Sequence, residues 1–163
     1  MFEVYTLVEQ KKPAIIKFFA IFFLVCGGFS MLATAIGLYI FLPIAVGGIL
    51  LGYFLHTRNY EFEYSYFDGD LKFAKIINKS RRKRLPGYKM DEVIAIAPTG
   101  DSSVSRYEED SSAKIKRYLS GYKNAKIYVL VVKGTEGQNL VYFEPDERYL
   151  DAVCVKYGYK VRR

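Results

Sequence analysis

One histidine and two cysteines are all that the sequence offers for soft metal ligation or thiol chemistry. No pair of histidines and no Cys-x-x-Cys is present, so the ligand spacing of a zinc site is missing. A Gly-x-Ser-x-Gly elbow and a phosphate-cradling Walker loop are also missing. Cys154 falls on the apolar stripe of the last helical segment, which fits a packed thiol better than a nucleophile. Cys26 lies in a long apolar run, and a disulfide between the two is geometrically implausible. His56 closes that run and reads as a helix-end or interfacial residue. The acidic pairs Glu108–Asp110 and Asp146-Glu147 fit a solvated loop and a helix N-terminus that favours negative charge. No catalytic set, metal or cofactor is therefore expected, and the chain reads as non-enzymatic.

The largest absence is charge. From Phe18 through Leu55 there is no Asp, Glu, Lys or Arg. One straight helix over that run would be about 57 Å long, nearly twice the roughly 30 Å of membrane hydrocarbon. Two antiparallel spans fit better, at Ala14–Ala33 and Leu38–His56 with a turn at Thr34–Gly37. Glycine at 37 suits the turn because it accepts positive φ. Gly27, Gly28, Gly47, Gly48 and Gly52 fit close packing of membrane helices, and Pro43 is tolerated where a neighbouring helix satisfies the freed carbonyl. Tyr39 and Tyr53 sit near span ends, where amphipathic rings favour the interface. The apolar run continues too far for a cleaved signal peptide. Lys11, Lys12 and Lys17 flank the entry and Arg58 the exit, while the turn is uncharged. The positive-inside rule then gives a multi-pass cell-membrane protein with both termini cytoplasmic. The expected organisation is an N-terminal segment at 1–13, a transmembrane hairpin at 14–57 and a cytoplasmic domain at 59–163.

Past Arg58 the period changes to two. Tyr60, Phe62, Tyr64 and Tyr66 alternate with Glu61, Glu63 and Ser65, as in a half-buried strand. Asp68-Gly69 predicts a type I′ hairpin turn. The returning strand, Leu71–Asn78, loses its alternation between Phe73 and Ile76, which predicts a bulge or a strongly bent strand. Pro86-Gly87 makes a turn and Val93–Ala97 a short strand. The polar stretch from Thr99 to Asn124 follows, with a helix expected at Glu108–Leu119 and loop at Ser102–Ser105. Lys126–Lys133 and Asn139–Phe143 read as strands joined by a turn containing Gly134 and Gly137. A final helix begins with Pro145 at its first position, buries Leu150, Val153, Cys154 and Tyr157, and ends at Gly158 in the C′ position. Of the 15 tyrosines most follow Arg58, and the alternating ones are core or barrel lining, with a Tyr-lined ligand cavity as the third functional reading.

The feature with functional weight is the basic cluster Lys79, Arg81, Arg82, Lys83 and Arg84. Three readings compete: a solvated edge strand whose charges block unwanted pairing, a surface for anionic lipid head groups, and a site for an acidic protein partner. The mild excess of basic side chains and the membrane anchor argue against nucleic acid.

The strand order, the Tyr60 to Asp68-Gly69 hairpin, the basic strand before Asp91-Glu92-Val93-Ile94 and the ending Val141-Tyr142-Phe143-Glu144-Pro145 resemble bacterial pleckstrin-homology-like domains attached to membrane hairpins. Over nearly its full length the chain is similar to a family of small bacterial membrane proteins. That similarity rests on Glu-Val-Tyr near the N-terminus, Lys-Lys-Pro before the first span, Ser-Arg-Arg-Lys-Arg and Phe-Glu-Pro. The resemblance implies a membrane α-hairpin plus an α+β domain, its antiparallel β-barrel or sandwich of pleckstrin-homology-like type capped by a C-terminal helix. The insert Thr99–Asn124 departs from that pattern. The function expected is a membrane-anchored module that binds or orients on membrane lipids or a protein partner. The alternative is an accessory subunit of a transport or envelope-maintenance complex, joined through the glycine-rich helix faces to a membrane-protein partner or a second copy. A topology reporter fused after Arg163 is expected to give a cytoplasmic signal; an extracytoplasmic one contradicts the orientation.

Overall fold

The computed structural model describes residues 3–134 and 137–163. The chain forms two compact units, one of residues 11–59 and one in which the chain up to Gln10 joins Tyr60–Arg163.

The first unit is helical. Helix α1 (Ala14–Ala35) and helix α2 (Leu42–Thr57) are joined by a turn at Gly37, whose φ is +98°, and by a short 3-10 segment at Tyr39–Phe41. Pro43 lies in the first turn of α2, where its missing N–H breaks no helical bond, so no neighbouring helix has to compensate for it. Both helices are long and apolar enough to cross a membrane. They bury only a narrow seam on each other, at Ala20, Gly27, Ala45 and Gly52. Phe18, Phe29, Leu32 and Leu50 stay at least 63% exposed.

The second unit holds two sheets. Strand β1 (Val4–Glu9) pairs antiparallel with β2 (Tyr60–Phe67), so the helical unit is inserted between neighbouring strands of one sheet. Gln10 N donates to Tyr60 O at 2.8 Å and closes that ladder. The segment before the first helix, set apart by the sequence reading, is thus an edge strand. Strand β3 (Asp70–Ile77) returns from Asp68-Gly69, both at positive φ as a type I′ turn demands. Its register with β2 runs unbroken from Tyr60↔Ile77 to Phe67↔Asp70, so the expected bulge is absent. The alternation slips because Ala74 is buried on the outer face of the sheet. Strands β4 (Arg81–Arg84) and β5 (Tyr88–Lys89) both pair with the far edge of β3.

The second sheet has the order β6-β8-β9-β7, from β6 (Val93–Pro98), β7 (Lys114–Tyr118), β8 (Tyr128–Gly134) and β9 (Gly137–Phe143). The turn expected between Gly134 and Gly137 falls on residues 135–136, outside the described residues. Helix α3 is Ser102–Glu108, where the sequence suggested loop, and residues 114–118 form a strand where it suggested helix. Two local facts reverse that expectation. Asp101 caps α3 by accepting from Ser103 N at 2.8 Å, and β7 finds a parallel partner in β9. Val104 of α3 is fully buried over Val129, Val131 and Leu140, so the insert covers the outer face of this sheet.

Between the sheets the aromatic rings interlock. Tyr64 and Phe73 lie 5.7 Å apart, Phe73 and Tyr118 5.2 Å, and Phe143 and Tyr149 6.0 Å. Of the alternating tyrosines, Tyr64 and Tyr66 fill the core, and Tyr60 is half-buried beneath Lys75. Each buried large apolar side chain contributes roughly 1.5–3 kcal/mol. Burial pushes the Tyr118 hydroxyl up to about 12, with the neighbouring Tyr88 adding to the effect. Helix α4 (Glu147–Tyr157) closes one end with Tyr149, Leu150 and Val153. Its N-cap is Asp146, leaving Pro145 just outside the helix, and Gly158 has φ −55° and continues into a 3-10 turn instead of a left-handed C′ stop. The same Asp146 carboxylate accepts from Tyr149 N at 2.8 Å and Thr6 Oγ1 at 2.9 Å, tying β1 to the cap. The first sheet ends at β1 and at β4/β5, the second at β6 and β7, and among the described residues no ladder joins them. The domain is therefore sandwich-like with a C-terminal helix: of the barrel and the sandwich expected, the barrel does not close, and the expected all-antiparallel pairing is corrected at β7, which pairs parallel to β9.

Replacing residues 11–59 by a short Gly/Ser linker from Gln10 to Tyr60 is expected to give a folded domain. The fragment 60–163 alone is expected to be less stable by about 3 kcal/mol or more, having lost the β1 ladder and the Thr6–Asp146 bond. Urea melts followed by circular dichroism measure the difference; equal midpoints contradict it.

Candidate functional site

The basic cluster is built by a second tight hairpin. Ile77, Asn78, Lys79 and Ser80 form the turn, closed by Ser80 N donating to Ile77 O at 3.2 Å. Asn78 and Lys79 sit at φ 52° and 56°, the left-handed pair of a type I′ turn. Asparagine suits that geometry; lysine is strained there. Strand β4 then presents Arg81, Arg82, Lys83 and Arg84, all exposed, along the edge of the sheet.

Strand alternation divides the cluster. Leu71 and Phe73 point into the main core, so Lys75 and Ile77 share that core-side face, as do their partners Lys83 and Arg81. Leu85, next in the same parity, packs against the core. Arg82 and Arg84 point to the opposite face. There Arg82 pairs with Glu63, and Lys79 lies 4.0 Å from Glu61. The side chains of both glutamates are largely covered, at 12% and 14% exposed, so the cations offset the burial of their carboxylates. The structure therefore brings the five predicted residues onto one edge but onto two faces. Sequence reasoning missed the two glutamate partners and Lys75. Their signal was the alternation of Glu61 and Glu63 with the tyrosines, which puts them on the face opposite the core.

Register also fixes where the cluster lies along the sheet. Tyr60 pairs with Ile77, and Ile77 with Arg81. The turn at residues 78–80 is thus at the strand end where the chain enters from residues 11–59. Lys83 is about 7 Å and Arg84 about 10 Å farther along.

The helix glycines also divide. A Cβ on Gly27 would lie 2.8 Å from Ile49 N, on Gly48 3.1 Å from Gly27 Cα, and on Gly52 2.9 Å from Ala20 O. These three let α1 and α2 touch. Gly28 and Gly47 meet nothing within 4 Å and face outward. Among the described residues no group of three His, Cys, Asp or Glu gathers as metal ligands.

Gly48→Val is expected to lower the stability of the full chain in detergent by about 1–3 kcal/mol through overpacking, whereas Gly28→Val leaves it nearly unchanged. Thermal melts compare the two; equal losses contradict the division.

A family model described as a bacterial PH-like domain (DUF6106) matches residues 3–163. No curated protein and no solved structure matches the chain.

Proposed function

The chain belongs to the bacterial PH-like domain family, and on that premise we propose a non-enzymatic module fixed to the cytoplasmic membrane face by α1 and α2, whose β3–β4 hairpin meets anionic lipid head groups. The observation that carries this reading is the register Tyr60↔Ile77↔Arg81, which puts the Lys79 turn at the strand end joined to the helices. Only two residues, Arg58 and Asn59, separate Thr57, the last of α2, from Tyr60. Each Lys or Arg at an anionic surface contributes roughly 1 kcal/mol, so Lys79 and Arg81 together contribute about 2 kcal/mol. Two membrane spans already hold the domain, so this energy orients it and does not recruit it.

The membrane location is supported by the apolar exterior of α1 and α2, whose exposed surface exceeds what water tolerates on a lone helical pair. Orientation rests on Lys11, Lys12, Lys17 and Arg58 at the open end of the hairpin. Lys12 Nζ also donates to the carbonyl of His56, the C-terminal end of α2, where positive charge is favoured. The β1–β2 ladder adds a constraint of its own, because both ends of the helical insertion must emerge on one side.

A second reading is favoured by Gly28 and Gly47. Gly47 and Gly48 line an apolar groove on the helix pair with Phe22, Phe23 and Ile44, shaped for a further helix of a membrane complex.

Amide exchange of the full chain in nanodiscs tests the lipid reading. Phosphatidylglycerol discs are expected to slow exchange at residues 78–81 at least about threefold relative to phosphatidylcholine discs. In Lys79→Ala/Arg81→Ala that difference is expected to vanish. Equal exchange of the wild type in both discs overturns it.

A further inference from the structure

We infer that Lys75, Lys83 and Arg81 form a phosphate-binding site on the core-side face of the first sheet, at its open edge. The inference deepens the lipid reading by naming the chemistry the site takes, and its existence does not depend on a membrane being the source.

Lys75 and Lys83 are directly paired across β3 and β4, with side chains on the same face. Directly opposed like charges are destabilising in a sheet. Among the described residues neither has a carboxylate within ion-pair distance, unlike Arg82 and Lys79 on the other face. The next pair on this face adds Arg81, opposite Ile77. Three cations thus crowd one corner, and among the described residues none of the three has a carboxylate within ion-pair distance.

That corner is also preorganised. The Lys75 ammonium stands 4.1 Å above the Tyr60 ring centroid and 5.7 Å from that of Phe62, so cation–π attraction holds it in place. The corner is open as well, because β4 is a free edge and the sandwich does not close beside it. An anion seated between Lys75 and Lys83 would turn their mutual repulsion into two attractions, and Arg81 would add the forked donor geometry that suits phosphate oxygens. The concentration of positive charge favours a dianionic phosphomonoester over a monoanionic phosphodiester. Such a group belongs either to a lipid head group such as phosphatidic acid or to a soluble phosphorylated compound.

The experiment melts the full chain in neutral phosphatidylcholine nanodiscs with inorganic phosphate or with sodium chloride at matched ionic strength. A parallel series replaces phosphate by phosphatidic acid or phosphatidylglycerol in the disc. Phosphate or phosphatidic acid is expected to raise the wild-type Tm by about 3 °C or more over its matched control. Lys75→Gln/Lys83→Gln is expected to lose that rise, and Arg82→Gln to keep it. In phosphatidylcholine discs without added phosphate or phosphatidic acid, Lys83→Gln is expected to melt no lower than the wild type, since it removes a like-charge contact; this separates lost binding from lost folding. A response to phosphate in solution identifies a soluble source, and one to phosphatidic acid alone identifies a head group. No rise with either, or an equal rise in the double variant, overturns the site. Failure here with slowed exchange at residues 78–81 in phosphatidylglycerol discs leaves the orienting reading standing.

Discussion

The pairing of β1 with β2 constrains everything else in this chain. Six residue pairs, from Val4↔Tyr66 to Glu9↔Glu61, join strands separated in sequence by the whole helical unit. Hydrogen bonds of such a ladder form only when the two backbones run about 5 Å apart. The insertion must therefore start and finish at neighbouring points. An antiparallel helix pair meets that demand, whereas a single span would carry the two strands to opposite sides of a bilayer. The same ladder gives Asp146 its second role. Because β1 is in place, Thr6 reaches the carboxylate that caps α4, and the first strand and the last helix are fastened at one atom.

Distribution of charge follows from the same sheet. Core rings occupy one face of β2 and β3, which leaves Glu61 and Glu63 on the other with Lys79 and Arg82 above them. Arg82, held on Glu63, is then unavailable as a plain positive surface, whereas Lys79, 4.0 Å from Glu61 and 70% exposed, still faces outward at the tip. Beside that tip, what is open to an external anion is the corner of Lys75, Arg81 and Lys83. A run that reads as one motif in sequence is, in space, part internal neutralisation and part open charge.

Periodicity made the helix pair, the Asp68-Gly69 turn, β8, β9 and α4 legible, because each buries a side-chain pattern that repeats within its own span. Strand β1 was not, since Val4–Glu9 has half-exposed Tyr5 and Leu7 and gains its place only from a partner more than fifty residues away. The insert misled for a related reason. Lys114–Tyr118 is a strand through parallel pairing with β9, a long-range contact that local propensity does not carry. The five basic residues of the cluster were visible, but their division between faces required the register of β3 with β4. The helix glycines were visible too, and only the contact of α1 with α2 told the inward ones from the outward.

Lysine at position 79 holds a backbone conformation that glycine adopts without strain. A glycine there would relax the hairpin and at the same time remove a cation from the tip of the sheet. Tighter folding and stronger charge thus pull in opposite directions at a single residue. Any attempt to thermostabilise this domain by repairing its turns would blunt the part of it that faces outward, so the strained lysine marks where optimisation for rigidity ought to stop.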